Sequence, residues 1–217
     1  TVNTLPSIIK NNPDVNFQIL CDKNFTENYF DFPNVTKYHI FPPYRHPLLY
    51  IFYFETVVRR FLSKHKPDLF VSMDGMLCLG SKSKQLDVIY DINFEHFPKD
   101  VTLKNRLYFN FFFKRFALKA KRIVTISEYS KQDMVDFYKV SSDKIDNVSC
   151  GVSSRFAQLT PVQVADIRKN RSEGNPYFFF VGSMHPRKNI KRLLKAFTLF
   201  KEKTSSDFKL VIAGAIL

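Results

Sequence analysis

This chain of 217 residues has few cysteines, no tryptophan and no long apolar run. The few cysteines and the short apolar runs each exclude a class of protein. The three cysteines, Cys21, Cys78 and Cys150, are odd in number and far apart. That pattern predicts reduced thiols in the cytoplasm rather than a disulfide framework. No apolar run approaches the roughly 18 residues of a membrane-spanning helix, and the longest stops at Glu55. We therefore expect neither a disulfide-rich secreted domain nor a spanning segment.

The composition predicts a packed, aromatic and basic protein. Hydrophobic residues make up 45% of the chain and charged residues 24%, which favours a globular core over disorder. The 24 Phe and 10 Tyr make that core aromatic. Lys and Arg outnumber Asp and Glu by 33 to 20, a net charge of +13. This charge favours nucleic acid, acidic lipid head groups or phosphorylated small molecules as partners, and does not choose among them.

Apolar runs alternate with longer amphipathic stretches, and this order predicts an α/β fold. Repeated strand–helix–strand units form parallel sheets with helices on both faces. The stretch 153–176 is polar and broken by prolines and a glycine, and the alternation restarts after it. We therefore expect one domain over 1–152, a linker with one short helix over 153–176, and the beginning of a second domain over 177–217. Strands are predicted at 17–21, 68–73, 87–91, 122–126, 144–150, 177–181 and 208–214, and helices at 46–65, 103–121, 128–139 and about 188–203.

Four loops of this predicted architecture are candidate binding sites. In parallel sheets, ligands bind beyond the carboxyl ends of the strands. The loops that meet this condition are 73–76, 90–98, 126–130 and 182–189. The first three belong to one predicted sheet and the last to the other, so a cleft between two domains is the expected geometry.

The loop 90–98 carries the richest set of polar candidates. Asp91, Glu95 and His96 lie in "YDINFEHFP" directly after a predicted strand. They have the chemistry to hydrogen-bond a ligand hydroxyl or to assist proton transfer. The alternative is that these side chains cap the next helix or bond to local backbone, and a packed loop histidine is the favoured reading of His96. The position after a parallel strand favours function for Asp91.

Two other loops carry weaker candidates for a ligand site. Asp74 and Gly75 end the predicted strand "DLFVSM", where they would line the cleft or simply form a turn. Ser127 is expected first as the N-cap of the helix over 128–139, and only then as a ligand contact. Because no cluster of His, Cys, Asp and Glu has metal-ligand spacing, the sequence predicts no metal site.

The stretch "GSMHPRKNIKRLLKAF", residues 182–197, joins an apolar strand to an amphipathic helix. Its apolar residues recur at helical spacing, on the face formed by Ile190, Leu193, Leu194 and Phe197. Gly182 permits close approach of a ligand, and Arg187 and Lys188 would add positive charge where the helix dipole is already positive. A bound anion would relieve that repulsion, so the stretch predicts a binding site for a phosphate or diphosphate. The alternative is a solvated basic loop.

Three segments together resemble glycosyltransferase family 4, whose members have the GT-B fold. They are "DVIYDINFEHFP", "AKRIVTISEYSKQDM" and "YFFFVGSMHPRKNIKRLLKAF", and they occur in the family's order. The resemblance implies two Rossmann-like domains, both incomplete in this chain, the first binding an acceptor and the second a nucleotide-sugar. It also implies retaining sugar transfer, with no cofactor beyond the nucleotide-sugar donor and no bound metal. The chain contains no Asp-x-Asp metal-binding triplet.

The resemblance also assigns roles to particular residues. Lys188 and Arg187, with Gly182 and Ser183 beside them, would hold the donor diphosphate and stabilise charge on the leaving group. Tyr90 and Asp91 stand where the family usually has His-Asp at the reacting sugar, so they are the catalytic candidates. Ser183 stands where many members have Arg. The paired glutamates of the family's donor site have no counterpart in this chain, so the chain alone is expected to be a poor catalyst.

Other classes of function remain open at this point. A basic nucleic-acid-binding protein would explain the charge but has no motif behind it, and a non-catalytic sugar-binding protein of the same fold would explain Tyr90. The aromatic and basic stretch 106–122 would suit contact with an anionic membrane, where lipid-linked acceptors reside. The favoured alternative is a core helix in which Leu107, Phe111 and Leu118 face the sheet. We expect a cytoplasmic protein, with the inner face of the cytoplasmic membrane as a further possibility.

Overall fold

The computed structural model describes residues 4–21, 30–40, 47–153 and 156–215. The chain divides into two compact units, 1–153 and 154–217. Both units contain parallel strands connected through helices, which confirms the predicted α/β class.

The first unit contains a two-stranded and a four-stranded parallel sheet. In the larger sheet, strands adjacent in the chain are also adjacent in space, in the order β3-β4-β5-β6. Their carboxyl ends therefore meet at one edge, as expected for the loops 73–76, 90–98 and 126–130. The smaller sheet contains a strand that the sequence analysis did not predict, β2. The strands are β1 (Phe17–Cys21), β2 (Val35–His39), β3 (Phe70–Ser72), β4 (Gln85–Val88), β5 (Arg122–Thr125) and β6 (Ile145–Asn147).

The three helices predicted in the first unit are present, with irregularities at their ends and within one of them, and the structure adds two short helices, Leu5–Lys10 and Asn93–His96, that were not predicted. The predicted helix over 46–65 is described from Pro47 onward and contains a π-helical turn over Tyr53–Val58. It ends where Lys66 adopts a left-handed conformation with φ of 46°. Ser127 caps α6 as predicted, accepting a 3.1 Å hydrogen bond from the Ser130 N–H. The helices are α1 (Leu5–Lys10), α2 (Pro47–Phe52), α3 (Arg59–His65), α4 (Asn93–His96), α5 (Leu103–Lys119) and α6 (Glu128–Tyr138).

The core of the first unit is built around α5 and is aromatic, as the composition predicted. Tyr108, Phe113 and Phe116 of α5 are buried against Ile89 at the end of β4 and Ile123 of β5. The Phe94 ring from α4 packs edge-on to Phe113, with 4.9 Å between ring centroids. A second buried cluster joins the helical stretch 53–62 to Ile40 and Cys78.

The outer face of α5 corrects one prediction. Leu107, Phe111 and Leu118 do not face the sheet; with Leu103 they are 52% to 63% exposed. The inward positions are taken by Tyr108, Phe113, Phe116 and Ala117, because the aromatic residues on α5 occur on both sides of the helix and only one side can meet the sheet. We call this surface the α5 outer face; it comprises Leu103, Leu107, Phe111 and Leu118 with Lys104, Lys114, Arg115 and Lys119.

The second unit pairs two strands in parallel and contains two longer helices, of which the second is amphipathic. Its longest helix begins at Ile190 rather than near Lys188, because Asn189 has a left-handed φ of 55° and separates it from a 3-10 turn over Pro186–Lys188. Leu194, predicted on the apolar face, is about half exposed, while Phe197 packs towards Phe178. The elements are α7 (Pro161–Ser172), β7 (Tyr177–Val181), α8 (Ile190–Thr204) and β8 (Lys209–Ala213).

Candidate active site

An open pocket of about 620 Å³ lies at the carboxyl ends of β3 and β4, in the first unit. It brings together four of the predicted site residues from two separate loops: Asp74 and Gly75 after β3, and Tyr90 and Asp91 after β4. Apolar and aromatic side chains supply the rest of its wall. The full lining is Tyr50, Met73, Asp74, Gly75, Met76, Val88, Ile89, Tyr90, Asp91, Phe94 and Phe113.

The β3 side of the pocket is held by a partly buried polar network just beyond it. The Glu55 carboxylate accepts hydrogen bonds from the N–H groups of Leu79 at 2.5 Å and Gly80 at 2.9 Å. The Gln85 side chain bonds both backbone groups of Cys78, accepting from its N–H at 2.9 Å and donating to its carbonyl at 2.7 Å. These contacts fix the far end of the loop that contains Asp74, because hydrogen-bonded buried groups resist displacement.

Gly75 is required by the backbone of this loop. Its φ is 71°, in the left-handed region where side chains are strained. A Cβ at this position would also lie 3.4 Å from the Phe113 ring, within the pocket wall. Asp74 and Gly75 thus lie in a bend after β3 and also line the pocket, while their role in binding an acceptor stays a prediction.

The β4 side of the pocket is held through its backbone. The buried Thr125 of β5 donates a 3.3 Å hydrogen bond from its hydroxyl to the Tyr90 carbonyl. One oxygen of the Asp91 carboxylate accepts a 3.0 Å hydrogen bond from the Asn93 N–H at the start of α4. The Tyr90 ring and the second Asp91 oxygen remain on the exposed edge, where a ligand has access to them.

Glu95 and His96 lie outside the pocket lining and contact α6 instead. The Glu95 carboxylate accepts a 2.8 Å hydrogen bond from the Tyr138 hydroxyl, and burial together with this bond raises the pKa of Tyr138. The His96 Nε2 lies 2.7 Å from Asp133 Oδ1. The structure thus shows both side chains joining the loop after β4 to α6, and their role in acceptor binding stays a prediction.

Ser127 also lies outside the pocket lining, although its loop follows the neighbouring strand β5. Its hydroxyl caps α6 through the Ser130 N–H and lies 3.0 Å from the Ser130 hydroxyl. These contacts account for a serine at this position. Its second expected role, as a ligand contact, stays a prediction.

A buried carboxyl that the sequence analysis did not single out lies beside the pocket. Asp87 of β4 is 0% exposed, and neither of its side-chain oxygens has a hydrogen-bond partner of normal geometry among the described residues. Burial, and secondarily the charge of Asp74, raise the pKa of Asp87 to about 8. The nearby Val88 N–H lowers the pKa and offsets only part of this increase. Asp87 is therefore a neutral acid at pH 7.

The aromatic wall of the pocket was also missed in the sequence. Tyr50 comes from α2, Phe94 from α4 and Phe113 from α5, so three helices far apart in the chain supply it. Tyr50 packs edge-on to Tyr108 with 5.6 Å between ring centroids. In a chain with 24 Phe, no sequence signal distinguishes a pocket aromatic from a core aromatic.

In the second unit, the predicted diphosphate loop follows β7. The Gly182 N–H bonds the Ala213 carbonyl at 2.9 Å, which continues the pairing of β7 with β8 up to the loop, where Ser183 follows. His185 Nδ1 accepts a 3.2 Å hydrogen bond from the Arg187 N–H and so caps the 3-10 turn. Arg187 and Lys188 are exposed, and neither forms an ion pair within the described residues.

The N-terminus of α8 lies directly after these two cations. The Asn189 side chain makes no capping hydrogen bond there. The N–H groups of Arg192 and Leu193 donate to the Asn189 carbonyl at 3.1 Å and 3.2 Å. The N–H groups of Ile190 and Lys191 precede them at the positive end of the helix dipole, where an anion can bind. The helix starts two residues later than predicted, and diphosphate binding by this loop stays a prediction.

The described residues contain neither a candidate metal cluster nor a candidate membrane-spanning helix. Within the ranges given above, no group of three or more His, Cys, Asp or Glu side chains is placed to hold a metal ion. Among the same residues, no helix has the length and apolar character needed to cross a membrane.

Comparison with known families identifies the class of protein. The sequence profile of Glycosyltransferase Family 4 matches residues 14–156, about two thirds of the chain. The profile of Glycosyl transferases group 1 matches residues 163–216. This chain therefore belongs to glycosyltransferase family 4, as its motifs indicated, and the predicted GT-B class of fold is confirmed.

Individual relatives are more distant. The chain is 28% identical over 96 residues to O-antigen chain mannosyltransferase B of Escherichia coli, covering 44% of this chain and 25% of the relative. It is 24% identical over 97 residues to the serotype-specific mannosyltransferase WbdA of Escherichia coli, covering 44% and 12%. The matches thus span a quarter or less of these relatives. A crystal structure of a glycosyltransferase from Rickettsia africae ESF-5 aligns with 91% of this chain and 60% of its own, at 14% identity and a TM-score of 0.48.

Proposed function

We propose that the protein transfers a hexose, of the mannosyl class, from a nucleotide-sugar to a glycan or lipid-linked acceptor. The observation that carries the proposal is the convergence of Asp74, Gly75, Tyr90 and Asp91 on one pocket at the sheet edge where ligands of parallel sheets bind. The family supplies the reaction class. The names of the two Escherichia coli relatives support mannose as the sugar.

The pocket has the chemistry of a sugar site. The Asp74 and Asp91 carboxylates are acceptors for sugar hydroxyls, and the aromatic wall offers apolar surface to the face of a ring. In the proposed reaction, Asp91 orients the acceptor hydroxyl whose oxygen attacks the donor sugar. Tyr90 lies at the rim of the same pocket and contacts the reacting sugar from the position where the family usually has His.

We propose that the donor diphosphate binds to the loop after β7. Arg187 and Lys188 place two full positive charges beside the N-terminus of α8. When the glycosidic bond to the nucleotide breaks, negative charge develops on the leaving diphosphate, and these groups stabilise it. Gly182 and Ser183 supply backbone that a phosphate can approach closely.

Two further proposals concern the use of metal and the stereochemistry of transfer. Arg187 and Lys188 supply the positive charge that a divalent metal supplies in other sugar transferases, so we propose that transfer proceeds without a bound metal. Following the family, we propose that the product retains the anomeric configuration of the donor. No other cofactor is required by this scheme.

The α5 outer face supports peripheral contact with an anionic membrane. At about 100° per residue, Leu103, Leu107, Phe111 and Leu118 fall within about 80° of arc around the helix. Lys104 and Arg115 lie beside this strip and Lys114 falls within it, and the Arg115 guanidinium carbon lies 3.7 Å from the centre of the Phe111 ring. An apolar strip edged with positive charge suits the boundary between acyl chains and acidic head groups. We therefore propose a cytoplasmic protein that works at the inner face of the membrane, where lipid-linked acceptors are presented.

The donor part of the proposal is tested by binding of nucleoside diphosphates to the full-length protein. Calorimetric titration with GDP and UDP should show at least one tight complex, weakened roughly tenfold or more in Lys188→Ala because a full charge contact is lost. Lys195→Ala is the matched control, since Lys195 is an exposed lysine on α8 beyond its first turn. Equal weakening by both variants would show only a general effect of charge and would contradict the assigned seat.

A further inference from the structure

The topology of the larger sheet brings together lysines that are far apart in the chain. Its four strands run in parallel, so the residues that precede the strands meet at one edge, opposite to the edge that carries the pocket. We call this surface the amino edge. It contains eight Lys residues and one Arg, against three Asp residues. The amino edge comprises the stretches 62–69, 82–85, 118–122 and 139–146.

Backbone hydrogen bonds place lysines of neighbouring strands side by side on the amino edge. The Phe70 N–H donates to the Lys84 carbonyl at 2.9 Å, and the Lys121 N–H donates to the Gln85 carbonyl at 2.7 Å. Because adjacent strands are about 5 Å apart, the side chains of Lys84 and Lys121 start from neighbouring positions. Burial, and secondarily the charge of Lys121, lower the pKa of Lys144. The fold therefore holds like charges close together at this edge.

Few acids compensate these cations. The Asp146 carboxylate pairs with Arg122, whose Nε lies 2.9 Å from it. None of the eight lysines forms an ion pair within the described ranges. Helix dipoles favour cations at the ends of α3, α5 and α6, but Lys82 and Lys84 precede β4 without following a helix. Stabilisation of helix ends thus accounts for only part of the set.

The amino edge has no aromatic residues of the kind that stack on bases. Its four stretches contain no Phe, Tyr or Trp, although these types make up 16% of the chain. Proteins that bind single-stranded nucleic acid combine cations with aromatic side chains. The amino edge instead exposes leucines, Leu69 at 46% and Leu118 at 52%. Lysines beside exposed leucines suit acidic head groups above an acyl layer better than they suit nucleic acid.

The amino edge is continuous with the α5 outer face. Leu118 and Lys119, at the C-terminal end of α5, belong to both surfaces. The Lys144 ammonium donates a 2.6 Å hydrogen bond to the Leu118 carbonyl, which holds the start of β6 against this end of the helix. A flat anionic surface in contact with the end of α5 therefore lies next to the lysines of the amino edge.

Resting on the membrane contact proposed above, we propose that the amino edge is a second lipid-binding surface, specific for acidic phospholipid head groups. Its lysines attract the head groups, while Leu118 and the neighbouring apolar residues of α5 enter the boundary with the acyl chains. Because ammonium groups of exposed lysines act as point charges, this attraction decreases with salt. The pocket lies at the opposite edge of the same sheet, so binding through the amino edge leaves it uncovered.

The test is sedimentation of the full-length protein with vesicles of phosphatidylglycerol and phosphatidylcholine, at low and at high salt. The edge variant is Lys64→Gln, Lys84→Gln, Lys121→Gln, which changes exposed lysines before β3, β4 and β5. At low salt we expect it to bind at least about tenfold more weakly than the wild type, because three attractions to the head groups are lost. High salt should reduce this difference.

A matched triple variant separates the position of the charges from their number. Lys169→Gln, Lys195→Gln, Lys203→Gln changes exposed lysines on α7 and α8 and removes the same three charges. It should bind vesicles within about twofold of the wild type. Equal weakening of the two triple variants, or undiminished binding by the edge variant, would overturn the assignment of the amino edge.

Two further outcomes separate this inference from its alternatives. Tighter binding of a single-stranded oligonucleotide than of vesicles, lost in the edge variant, would make the amino edge a nucleic-acid surface and overturn the proposal. Binding lost in Leu107→Gln, Phe111→Gln but kept in the edge variant would remove the amino edge and leave the α5 outer face. A wild-type protein that ignores anionic vesicles would remove both surfaces. Turnover of a nucleotide-sugar, measured without vesicles, tests the transferase independently of all these results.

Discussion

The Tyr138 hydroxyl donates a 2.8 Å hydrogen bond to the Glu95 carboxylate, and this bond ties α6 to the loop that follows β4. Tyr138 is 2% exposed and belongs to the main core of the first unit. A second contact, between His96 and Asp133, runs in parallel to it. The loop that begins with the pocket residues Tyr90 and Asp91 is therefore attached at its far end to α6 through the buried side chain of Tyr138.

Removing that hydroxyl should destabilise the first unit. Tyr138→Phe keeps the ring and its packing but leaves Glu95 without its donor, so we expect a loss of about 1–2 kcal/mol in the free energy of unfolding. Urea unfolding followed by circular dichroism measures it. Tyr129→Phe is the control, because Tyr129 lies on the same helix and is 72% exposed. Equal stability of Tyr138→Phe and wild type would show that the bond contributes nothing to the loop.

The buried acid Asp87 should make stability depend on pH. Its pKa is raised from 3.8 to about 8 on folding, so between these values the folded protein binds more protons than the unfolded chain. Stability is then greatest below about pH 4, where both states are protonated, decreases as pH rises through this window, and levels off above about 8. Stability falls because the ionised Asp87 carboxylate would be fully buried, where its charge is poorly solvated.

Asp87→Asn separates this contribution from those of other groups. The Tm of the wild type should fall as the pH is raised from 5 to 9. In the variant this fall should be smaller by about 5 °C, because a neutral amide has no charge to bury. The measurement is a series of thermal melts, with Asp136→Asn expected to follow the wild-type curve. Parallel curves for Asp87→Asn and wild type would mean that Asp87 is not a neutral buried acid.

The α5 outer face should bind anionic vesicles. We expect the full-length protein to sediment with vesicles rich in phosphatidylglycerol at low salt, and much less with phosphatidylcholine alone. The double variant Leu107→Gln, Phe111→Gln should bind about tenfold more weakly, because two large apolar side chains no longer enter the bilayer interface.

A matched double variant guards against a general effect of surface polarity. Leu194→Gln, Leu199→Gln changes two leucines of α8 that are about half exposed, and it should bind vesicles like the wild type. The assignment of the α5 outer face would be wrong if both double variants lost binding equally, or if the protein ignored anionic vesicles.

Removal of divalent metal should not stop sugar transfer. With Arg187 and Lys188 as the groups that stabilise the leaving diphosphate, activity after EDTA treatment and gel filtration should equal the untreated activity. The measurement is initial rate of transfer with and without added Mg²⁺ or Mn²⁺. Activity that is lost with EDTA and restored by one metal would contradict the role given to the two cations.

Much of the fold could be predicted from the sequence because the spacing of apolar residues distinguished strands from helices. The strand over 177–181 and the helices over 103–119 and 128–138 lie within one or two residues of their predictions. The strand β2, with the sequence "VTKYH", was missed because its alternation is short and weak. The start of α8 was misplaced because a left-handed Asn189 has no distinctive pattern in sequence.

Only some of the pocket residues could be predicted from the sequence, for a physical reason. Asp74 and Asp91 follow strands, so the rule about carboxyl ends of parallel strands located them. The aromatic wall depends on which side of each helix meets the sheet, and α5 presents large apolar residues on both sides. Its Leu107, Phe111 and Leu118 were assigned to the wrong side for that reason. Asp87 was passed over because its burial without a partner is a property of the packed structure alone.

The most direct test of the central claim is sugar transfer by the full-length protein. A panel of nucleotide-sugars, including GDP-mannose, is incubated with a mannoside acceptor, and products are followed by mass spectrometry and by NMR of the anomeric proton. We predict turnover of one donor with retained configuration, abolished in Lys188→Ala and preserved in Lys195→Ala. No turnover of any donor by a folded, full-length protein would contradict the account.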